Sequence, residues 1–533
     1  MTPLACCKDG LTMTLPVRVS LVAVLLPGLW PCLPVTHAAS PPAAPSALYP
    51  ASPAELFGLL FEQVQLRHLF VDDKTFVDAT PKRPAADILH DYLAGAAAGK
   101  FSKNDALRAF VLANFTLPEE SGASSLAQGS SMAATAAVDG SSLQELSAPY
   151  LLTGARSGAL YYWDSYFTLL GTPANEQQQA VDATVDDLVS LVERFGHVPN
   201  GNRSYYLGRS QPPFLYLMVE LAAATDRETQ RRRLQALRTE HAFWMSGGRV
   251  VNMPDGTPLN RYWDERATPR EEKFREDTAL VNGSARVGAQ VWRDVRAASE
   301  SGWEFSSRWF ADGKTLATID TTNVVPVDLN SLLYGLERSI AAQCHAAHNR
   351  ACTARFEALA DRRRNAIERY LWDPVSGYYT DWDLRLARPR IALSAAAMYP
   401  LFTGAASPEH AHAMARIAEK QLLAPGGLRT TLVKTGQPWD APNGWAPLQW
   451  IAFDGLRRYD ENVLAQSIGE RYVANVQRGV ATTGKMVEKY NVETPGTVGG
   501  SEYLLYEGFG WTDGVVRALL AAGINSAPIT SKH

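Results

Sequence analysis

Amphipathic helical segments recur along most of this 533-residue chain, whereas alternating β-type segments are scarce. In the stretch 176–196, apolar residues at helical spacing form one broad face: Ala180, Val181, Val185, Leu188, Val189, Leu191 and Val192. Residues 231–245 and 355–372 show similar patterns, and only 376–384 is typical of a small hairpin. Because each helix must bury its apolar face against a neighbour, the sequence predicts an all-α fold.

Long loops rich in Gly, Pro, Trp and Asp join the predicted helices. Six segments stand out: 153–167, 199–214, 260–277, 299–310, 437–450 and 487–503. They combine arginines, amides, carboxylates and aromatic rings, which are the groups that bind a neutral polyol. Long loops on a helical scaffold usually carry function, so we expect an all-α toroid with its loops converging over one end.

The composition narrows the function classes. A formal net charge of −4, from 51 basic and 55 acidic residues, gives no reason to expect nucleic acid or an anionic membrane as partner. Thirteen tryptophans and twenty tyrosines, many beside Asp, Arg or Gly, favour a carbohydrate site. The sequence has no Gly-rich phosphate loop, Ser-His-Asp pattern or metal-binding motif, so we expect neither cofactor nor metal.

The two ends of the chain differ in composition from its middle. Residues 1–38 contain an interrupted apolar run and end in THA (36–38), which predicts a signal peptide cleaved after Ala38, with a lipid anchor or an uncleaved anchor as alternatives. Residues 39–53 are Ala, Pro and Ser rich and predict a disordered leader. We expect one domain over 54–525, with a flexible excursion near 119–142, and a tail over 526–533.

Two cysteines remain in the predicted mature chain, Cys344 and Cys352, eight residues apart. In an oxidising compartment they could close a short loop between two helices as a disulfide. Two reduced, partly buried thiols are the alternative. The predicted signal peptide makes an exported protein, periplasmic or secreted, the expected setting.

One carboxylate stands in unusual surroundings in the segment SESGWEFSSRWF. Glu304 lies between Trp303 and Phe305, whose rings would exclude water from it. Three polar side chains follow and are expected to hydrogen-bond or pair with it: Ser306, Ser307 and Arg308. Such an acid is either a buried structural anchor or a group with a tuned proton affinity.

Several of these loop segments resemble the trehalase family of glycoside hydrolases. QPWDAPNGWAPLQW (437–450) matches a trehalase signature except at Pro438, where Gln is more usual. Four further segments match nearly residue for residue: PNGNRSYYLGRSQPP (199–213), RYWDERATPR (261–270), VPVDLNSLLYGLE (325–337) and VEKY (487–490). Matching segments begin near residue 72 and end at 515, so the resemblance covers most of the predicted mature chain.

The resemblance implies an (α/α)6 toroid that hydrolyses α,α-trehalose to two glucoses with inversion, as a monomer and without a cofactor. On the family pattern Glu304 is the general acid and Glu488 the general base. An inverting enzyme holds this pair about 6.5–9.5 Å apart to leave room for a water. The implied substrate-binding positions are Arg156, Trp163, Asp164, Asn200, Arg209, Ser210, Gln211, Arg270, Glu272, Gly302 and Glu502.

Three departures from the family pattern bear on function. Glu304 stands where the family has Asp, the first signature has Ala159 where the family has a Glu, and Ser/Ala-rich sequence precedes it in place of a His- and Trp-containing helix. In addition, Glu271 replaces the Pro that separates the Arg and the Glu in the family. These departures leave two alternatives open. One is a trehalose-binding protein with lost or weak turnover, and the other is a related (α/α)6 hydrolase that acts on another α-glucoside.

Overall fold

The computed structural model describes residues 49–118, 132–133, 140–146, 148, 150–151, 158–172, 178–223, 226–497 and 510–524. Its helices are α1 (Pro53–Leu66), α2 (Lys74–Val77), α3 (Ala85–Ala97), α4 (Asn104–Asn114), α5 (Tyr162–Leu170), α6 (Gln178–Phe195), α7 (Leu215–Leu221), α8 (Arg227–Trp244), α9 (Phe274–Asn282), α10 (Gly288–Glu300), α11 (Val327–Ala346), α12 (Arg350–Tyr370), α13 (Tyr399–Thr403), α14 (Pro408–Ile417), α15 (Ala446–Arg457), α16 (Asn462–Thr483) and α17 (Gly510–Ala521). The helices predicted over 176–196, 231–245 and 355–372 are confirmed as α6, α8 and α12.

Six of the described helices contact one another in a closed ring, in the order α5, α7, α11, α13, α15, α17 and back to α5. A second set packs against this ring: α6 contacts α5 and α7, α8 contacts α7 and α11, α12 contacts α11, and α16 contacts α15 and α17. This arrangement confirms the predicted (α/α)6 toroid.

The burial pattern explains which helices form the inner ring. From Val327 to Ala341, helix α11 is buried on all sides except at Arg338, and α15 is buried along most of its length. A helix that is apolar all round belongs in a core, whereas α8, α12 and α16 bury one stripe and expose the rest. The main hydrophobic core therefore lies within the ring and between its two layers.

Helices α5 and α17 close the ring through glycines. A Cβ atom at Gly171, just after α5, would lie 2.6 Å from the Cα of Gly514 in α17. A Cβ at Gly514 would in turn lie well inside the van der Waals contact distance to the Phe167 carbonyl oxygen. Only glycine allows two helix backbones to approach so closely, so the first and last helices of the ring meet directly.

The strands are short and lie in the loops. They are β1 (Thr80–Pro81), β2 (Phe115–Thr116), β3 (Met132–Ala133), β4 (Tyr150–Leu151), β5 (Val250–Asn252), β6 (Pro258–Asn260), β7 (Val324–Val325), β8 (Trp372–Asp373), β9 (Tyr378–Tyr379), β10 (Trp382–Asp383), β11 (Arg388–Pro389), β12 (Leu423–Ala424), β13 (Gly427–Leu428), β14 (Asn443–Trp445) and β15 (Lys489–Asn491). The hairpin expected within 376–384 is wrong, because its two strands do not pair with each other: β9 pairs with β8, and β10 pairs with β11 and β7. The pair β14–β15 joins two distant loops and places Trp445 opposite Lys489.

The four N-terminal helices form a smaller hydrophobic cluster of their own with Tyr205 and Tyr206. Helix α1 begins at Pro53, the last residue of the predicted leader, and Tyr49 lies with its ring centroid 6.1 Å from that of Phe195. The predicted signal peptide, the leader up to residue 48 and the tail lie outside the described residues. The same holds for most of the predicted excursion, although Ser142 at its end is buried.

A disulfide joins Cys344, near the end of α11, to Cys352, in the first turn of α12, with the two Cα atoms 5.7 Å apart. It links an inner helix to its outer neighbour at one end of the pair. None of the helices in the described ranges is long and apolar enough to cross a membrane.

We predict that Gly514→Ala lowers the melting temperature, because the new methyl group forces α17 away from α5. An overpacked core position costs about 1–3 kcal/mol. Gly283→Ala is the matched control, since a Cβ there meets its nearest neighbour at an ordinary 3.6 Å. Differential scanning fluorimetry of both variants checks this, and a Gly514→Ala protein as stable as wild type contradicts the close packing.

Candidate active site

One face of helix α10 holds the loop that runs from residue 260 to 277. Arg296, Ser299 and Glu300 share this face because they follow one another at helical spacing. Arg296 donates hydrogen bonds to the Thr268 and Pro269 carbonyl oxygens at 2.6 and 2.8 Å. The buried Glu300 accepts from the backbone N–H groups of Trp263 and Ser210 and from Arg249. The segment that follows α10 carries Glu304, so Glu304 and the loop 260–277 are both anchored to this helix.

Glu304 has Arg270 as its partner. Arg270 donates to the Glu304 carboxylate over 3.1 Å, to the Ser299 hydroxyl over 3.1 Å and to both carboxylate oxygens of Asp277. The side chain of Glu304 is 32% exposed, which leaves it accessible at the surface of the site. Burial against the protein raises the pKa of Glu304, and the charges of Arg270 and Arg209 oppose that increase.

The expected partners of Glu304 hold a different part of the loop, which corrects that prediction. Ser306 and Ser307 donate to the Asp440 carboxylate at 2.7–3.0 Å instead. Arg308 makes paired hydrogen bonds with Asp328 and with Asp381, at 2.7–2.8 Å. Glu304 itself therefore remains free of these anchors, while the loop around it is firmly held.

Arg209 and Glu272 form a buried pair beside Glu304. Arg209 donates to Glu272 at 2.5 Å and to the Asn200 side-chain oxygen at 2.9 Å. Burial alone would raise the pKa of Glu272, but the charges of Arg209, Arg270 and Arg296 outweigh it and lower that pKa to about 2. The second oxygen of Glu272 and one terminal nitrogen of Arg209 have no hydrogen-bond partner in the described structure. The Arg209 nitrogen lies 4.0 Å from the Asp264 carboxylate.

Gln211, Gly302 and Trp163 meet at the start of α5. The Trp163 backbone N–H donates to the Gln211 side-chain oxygen at 3.1 Å. Gly302 has a positive φ of 76°, and a Cβ there would lie 2.7 Å from the Trp163 ring. Ser210 differs from the other predicted positions, because its hydroxyl donates to the Val198 carbonyl at 2.6 Å. That bond favours a role in holding the loop rather than in contacting a ligand.

Five tryptophans from different segments form one continuous cluster: Trp163, Trp303, Trp439, Trp445 and Trp511. The Trp439 and Trp445 rings stack at a centroid distance of 4.0 Å, and Trp303 stacks on Trp439 at 5.3 Å. Trp163 contacts Trp439 at 5.7 Å and Trp511 at 5.9 Å. These rings make one buried cluster from residues that are far apart in sequence.

Glu488 precedes β15 and is fixed by α17. The Trp511 indole N–H donates to the Glu488 carbonyl at 3.0 Å, and the Thr512 hydroxyl donates to the Val487 carbonyl at 2.9 Å. The side chain of Glu488 is 18% exposed, with the ammonium of the buried Lys489 at 3.2 Å from one carboxylate oxygen. The backbone of Glu488 is held by α17, and its carboxylate pairs with Lys489.

Asp164 lies near both Glu304 and Glu488. Its carboxyl is buried, and burial together with the negative charges of Glu488 and Glu304 raises its pKa to about 8. Both glutamates therefore lie close enough to Asp164 to act on its ionisation. The structure thus gathers the described predicted positions around one region, whereas Arg156 and Glu502 lie outside the described residues.

Sequence reasoning missed the residues that support this region. Asp440 accepts from Ser306, Ser307, Thr431 and Thr435, and Glu300, Ser299 and Asp277 hold the loop that carries Arg270. Asp440 lies inside the trehalase signature 437–450, and that motif could have identified it as a site residue. The helical spacing of Arg296, Ser299 and Glu300 could have identified the face of α10 that holds the loop.

Asp164→Asn is expected to stabilise the protein at neutral and mildly alkaline pH. The folded pKa of about 8 exceeds the ordinary value of 3.8, so the neutral carboxyl stabilises the fold fully below pH 4. That stabilisation is lost as the pH rises from 4 towards 8. The gain at pH 8 should be on the order of 1–4 kcal/mol and should vanish near pH 4.

Melting temperatures of wild type, Asp164→Asn and the exposed control Asp361→Asn between pH 4 and 8 provide the measurement. A gap between the first two that does not depend on pH contradicts the proposed burial of an ionisable Asp164.

Comparisons with known proteins agree with this geometry. The sequence profile of the family described as Trehalase matches residues 124–523. A periplasmic trehalase of Pseudomonas aeruginosa is 47% identical over 88% of this chain and 90% of its own length. One from Xanthomonas campestris pv. campestris is 43% identical over 99% and 96%.

A solved structure has a similar fold. The neutral trehalase of Saccharomyces cerevisiae superposes with a TM-score of 0.60 at 26% identity, over 70% of this chain and 73% of that one. The family profile, the relatives and the solved structure agree, so the chain belongs to the trehalase family.

Proposed function

We propose that this protein hydrolyses α,α-trehalose to two glucose molecules with inversion, using Glu304 as general acid and Glu488 as general base. The observation that carries the assignment is a chain of contacts through Trp163, which packs against Gly302, two residues before Glu304, and lies 5.9 Å from the Trp511 ring, whose indole N–H donates to the Glu488 carbonyl. These contacts support the assignment, because an inverting mechanism requires carboxyl groups from two segments at one site. Membership of the trehalase family supports the choice of substrate.

Glu304 has the properties of a proton donor. Burial raises its pKa, so the carboxyl retains its proton at a higher pH than an exposed glutamate. Its proton passes to the glycosidic oxygen as the bond from that oxygen to the anomeric carbon breaks. Arg270, at 3.1 Å, limits the increase and then stabilises the carboxylate that remains.

In the proposed mechanism Glu488 acts on water from the opposite face of the sugar. It accepts a proton from the water while the water oxygen forms its bond to the anomeric carbon, which inverts the configuration. The fixed backbone of Val487 and Glu488 limits the movement of the carboxylate. Correct placement is important because a displacement of about 1 Å can cost about a hundredfold in rate.

We propose that charged and amide groups hold the substrate. Arg209 and Glu272 each keep one buried polar atom without a hydrogen-bond partner among the described residues. Asn200, Gln211, Arg270, Trp163, Asp164 and the backbone at Gly302 complete the proposed set, with Ser210 as a support. Arg156 and Glu502 belong to it on the family pattern alone.

We also propose that the mature protein is a periplasmic monomer. The bacterial relatives are named as periplasmic trehalases. The disulfide between Cys344 and Cys352 suits an oxidising compartment.

Replacement of each proposed catalytic group by its amide tests the assignment. Glu304→Gln and Glu488→Gln should each lower kcat for trehalose by about 10²–10⁴-fold, the usual contribution of general acid–base catalysis. Glu265→Gln is the control, because that side chain is 64% exposed. Glucose release measured from pH 4 to 8 gives kcat for each protein.

A Glu304→Gln or Glu488→Gln variant that keeps more than a tenth of wild-type kcat contradicts its role. A wild-type protein that binds trehalose in calorimetry but releases no glucose would be a binding protein instead. The longer side chain at Glu304 makes that outcome worth testing.

A further inference from the structure

Consecutive side chains in the segment 270–273 point to opposite sides. Arg270 contacts Glu304 and Glu272 contacts Arg209, so both serve the proposed site. Glu271 lies between them, is only 4% exposed and faces helix α1. Its carboxylate accepts a hydrogen bond from the Ala54 backbone N–H at 2.9 Å.

The first turn of α1 is a suitable partner for this carboxylate. Helix N-termini leave backbone N–H groups without intrahelical acceptors and carry a partial positive charge. Here the Ser52 N–H donates to Glu55 at 2.7 Å, and the Ala54 N–H is satisfied by Glu271. Arg266 lies 3.5 Å from the other Glu271 oxygen and 3.4 Å from Glu55, which links the two acids.

Two further bonds attach the same segment to the N-terminal helices. The Gln65 side chain, in α1, donates to the Glu271 carbonyl at 2.9 Å and to the Asp73 carbonyl at 3.0 Å. Lys273 donates to the Asp73 carboxylate at 2.8 Å. The two neighbours of Glu272 in sequence, Glu271 and Lys273, are thus bonded to α1 and to Asp73 at the start of α2.

We propose that Glu271 is a positioning residue that fastens the N-terminal helices to the loop carrying Arg270 and Glu272, and that this attachment sets the affinity for substrate. The inference rests on the proposed roles of Arg270 and Glu272. A proline at this position would have no carboxylate to bind α1, so the attachment depends on the residue with which this chain departs from the family pattern. The N-terminal helices then act on the site without touching the substrate.

The expected effect of losing the attachment is on binding. Truncating Glu271 removes the acceptor of the partly buried Ala54 N–H and releases the loop between Arg270 and Glu272. Groups that bind ground state and transition state alike change KM when they are lost, with a smaller change in kcat. A variant that merely folds less well has fewer active molecules, which lowers the apparent kcat and leaves KM unchanged.

Three variants and one control test the proposal. Glu271→Ala should raise KM for trehalose at least about tenfold, with kcat within about threefold of wild type. Glu271→Gln should stay close to wild type, since its amide oxygen can still accept from Ala54. Lys273→Ala cuts an independent bond at a partly exposed position, so it should fold normally and raise KM in the same direction. Glu62→Ala removes an exposed carboxylate from α1 and should change nothing.

Calorimetric Kd values for trehalose accompany the kinetics, so that the result does not depend on turnover. Unchanged KM and Kd in Glu271→Ala and Lys273→Ala overturn the proposal, as does Glu271→Gln with the same defect as Glu271→Ala. A wild-type protein without turnover refutes the proposed hydrolase activity, whereas the Kd values still decide the role of Glu271.

Discussion

The close contact of helices α5 and α17 is the constraint on which the site depends. It closes the ring of inner helices through Gly171 and Gly514, whose backbones approach to a distance that no side chain allows. Trp163 and Asp164 lie near the start of α5, and Trp511 and Thr512 lie near the start of α17. Because Trp511 and Thr512 hold the backbone of Glu488 and Val487, closing the ring also places the proposed base beside Asp164.

The buried acids of the site have pKa values shifted in opposite directions. Glu272, surrounded by three arginines, has a pKa lowered to about 2, whereas Asp164, buried beside two glutamates, has one raised to about 8. Burial raises the pKa of Glu304, and the charges of Arg270 and Arg209 oppose that increase. Ionised groups such as Glu272 cost stability when the fold removes them from water. The tryptophan cluster and the contacts of helix α10 hold these groups in place.

Much of the fold and of the site was predictable from the sequence. Helical periodicity located α6, α8 and α12, and the loop motifs identified Glu304, Glu488, Arg209 and Arg270, which the structure brings to one region. The partners of those residues were not predictable, because hydrogen bonds between distant segments leave no local pattern. Ser306, Ser307 and Arg308 stand next to Glu304 in sequence but bind Asp440, Asp328 and Asp381. Glu304 is bound instead by Arg270, which helix α10 holds in place.

The central claim is that Glu304 and Glu488 form an inverting pair, and the anomeric form of the first products tests it most directly. Proton NMR can follow the two glucose anomers during the first minutes of hydrolysis, before mutarotation mixes them. Inversion releases one sugar as the α anomer and forms the other as the β anomer, so we predict equal amounts of each. Initial release of the α anomer alone would mean retention of configuration and would contradict the assignment of Glu488 as the base that activates water.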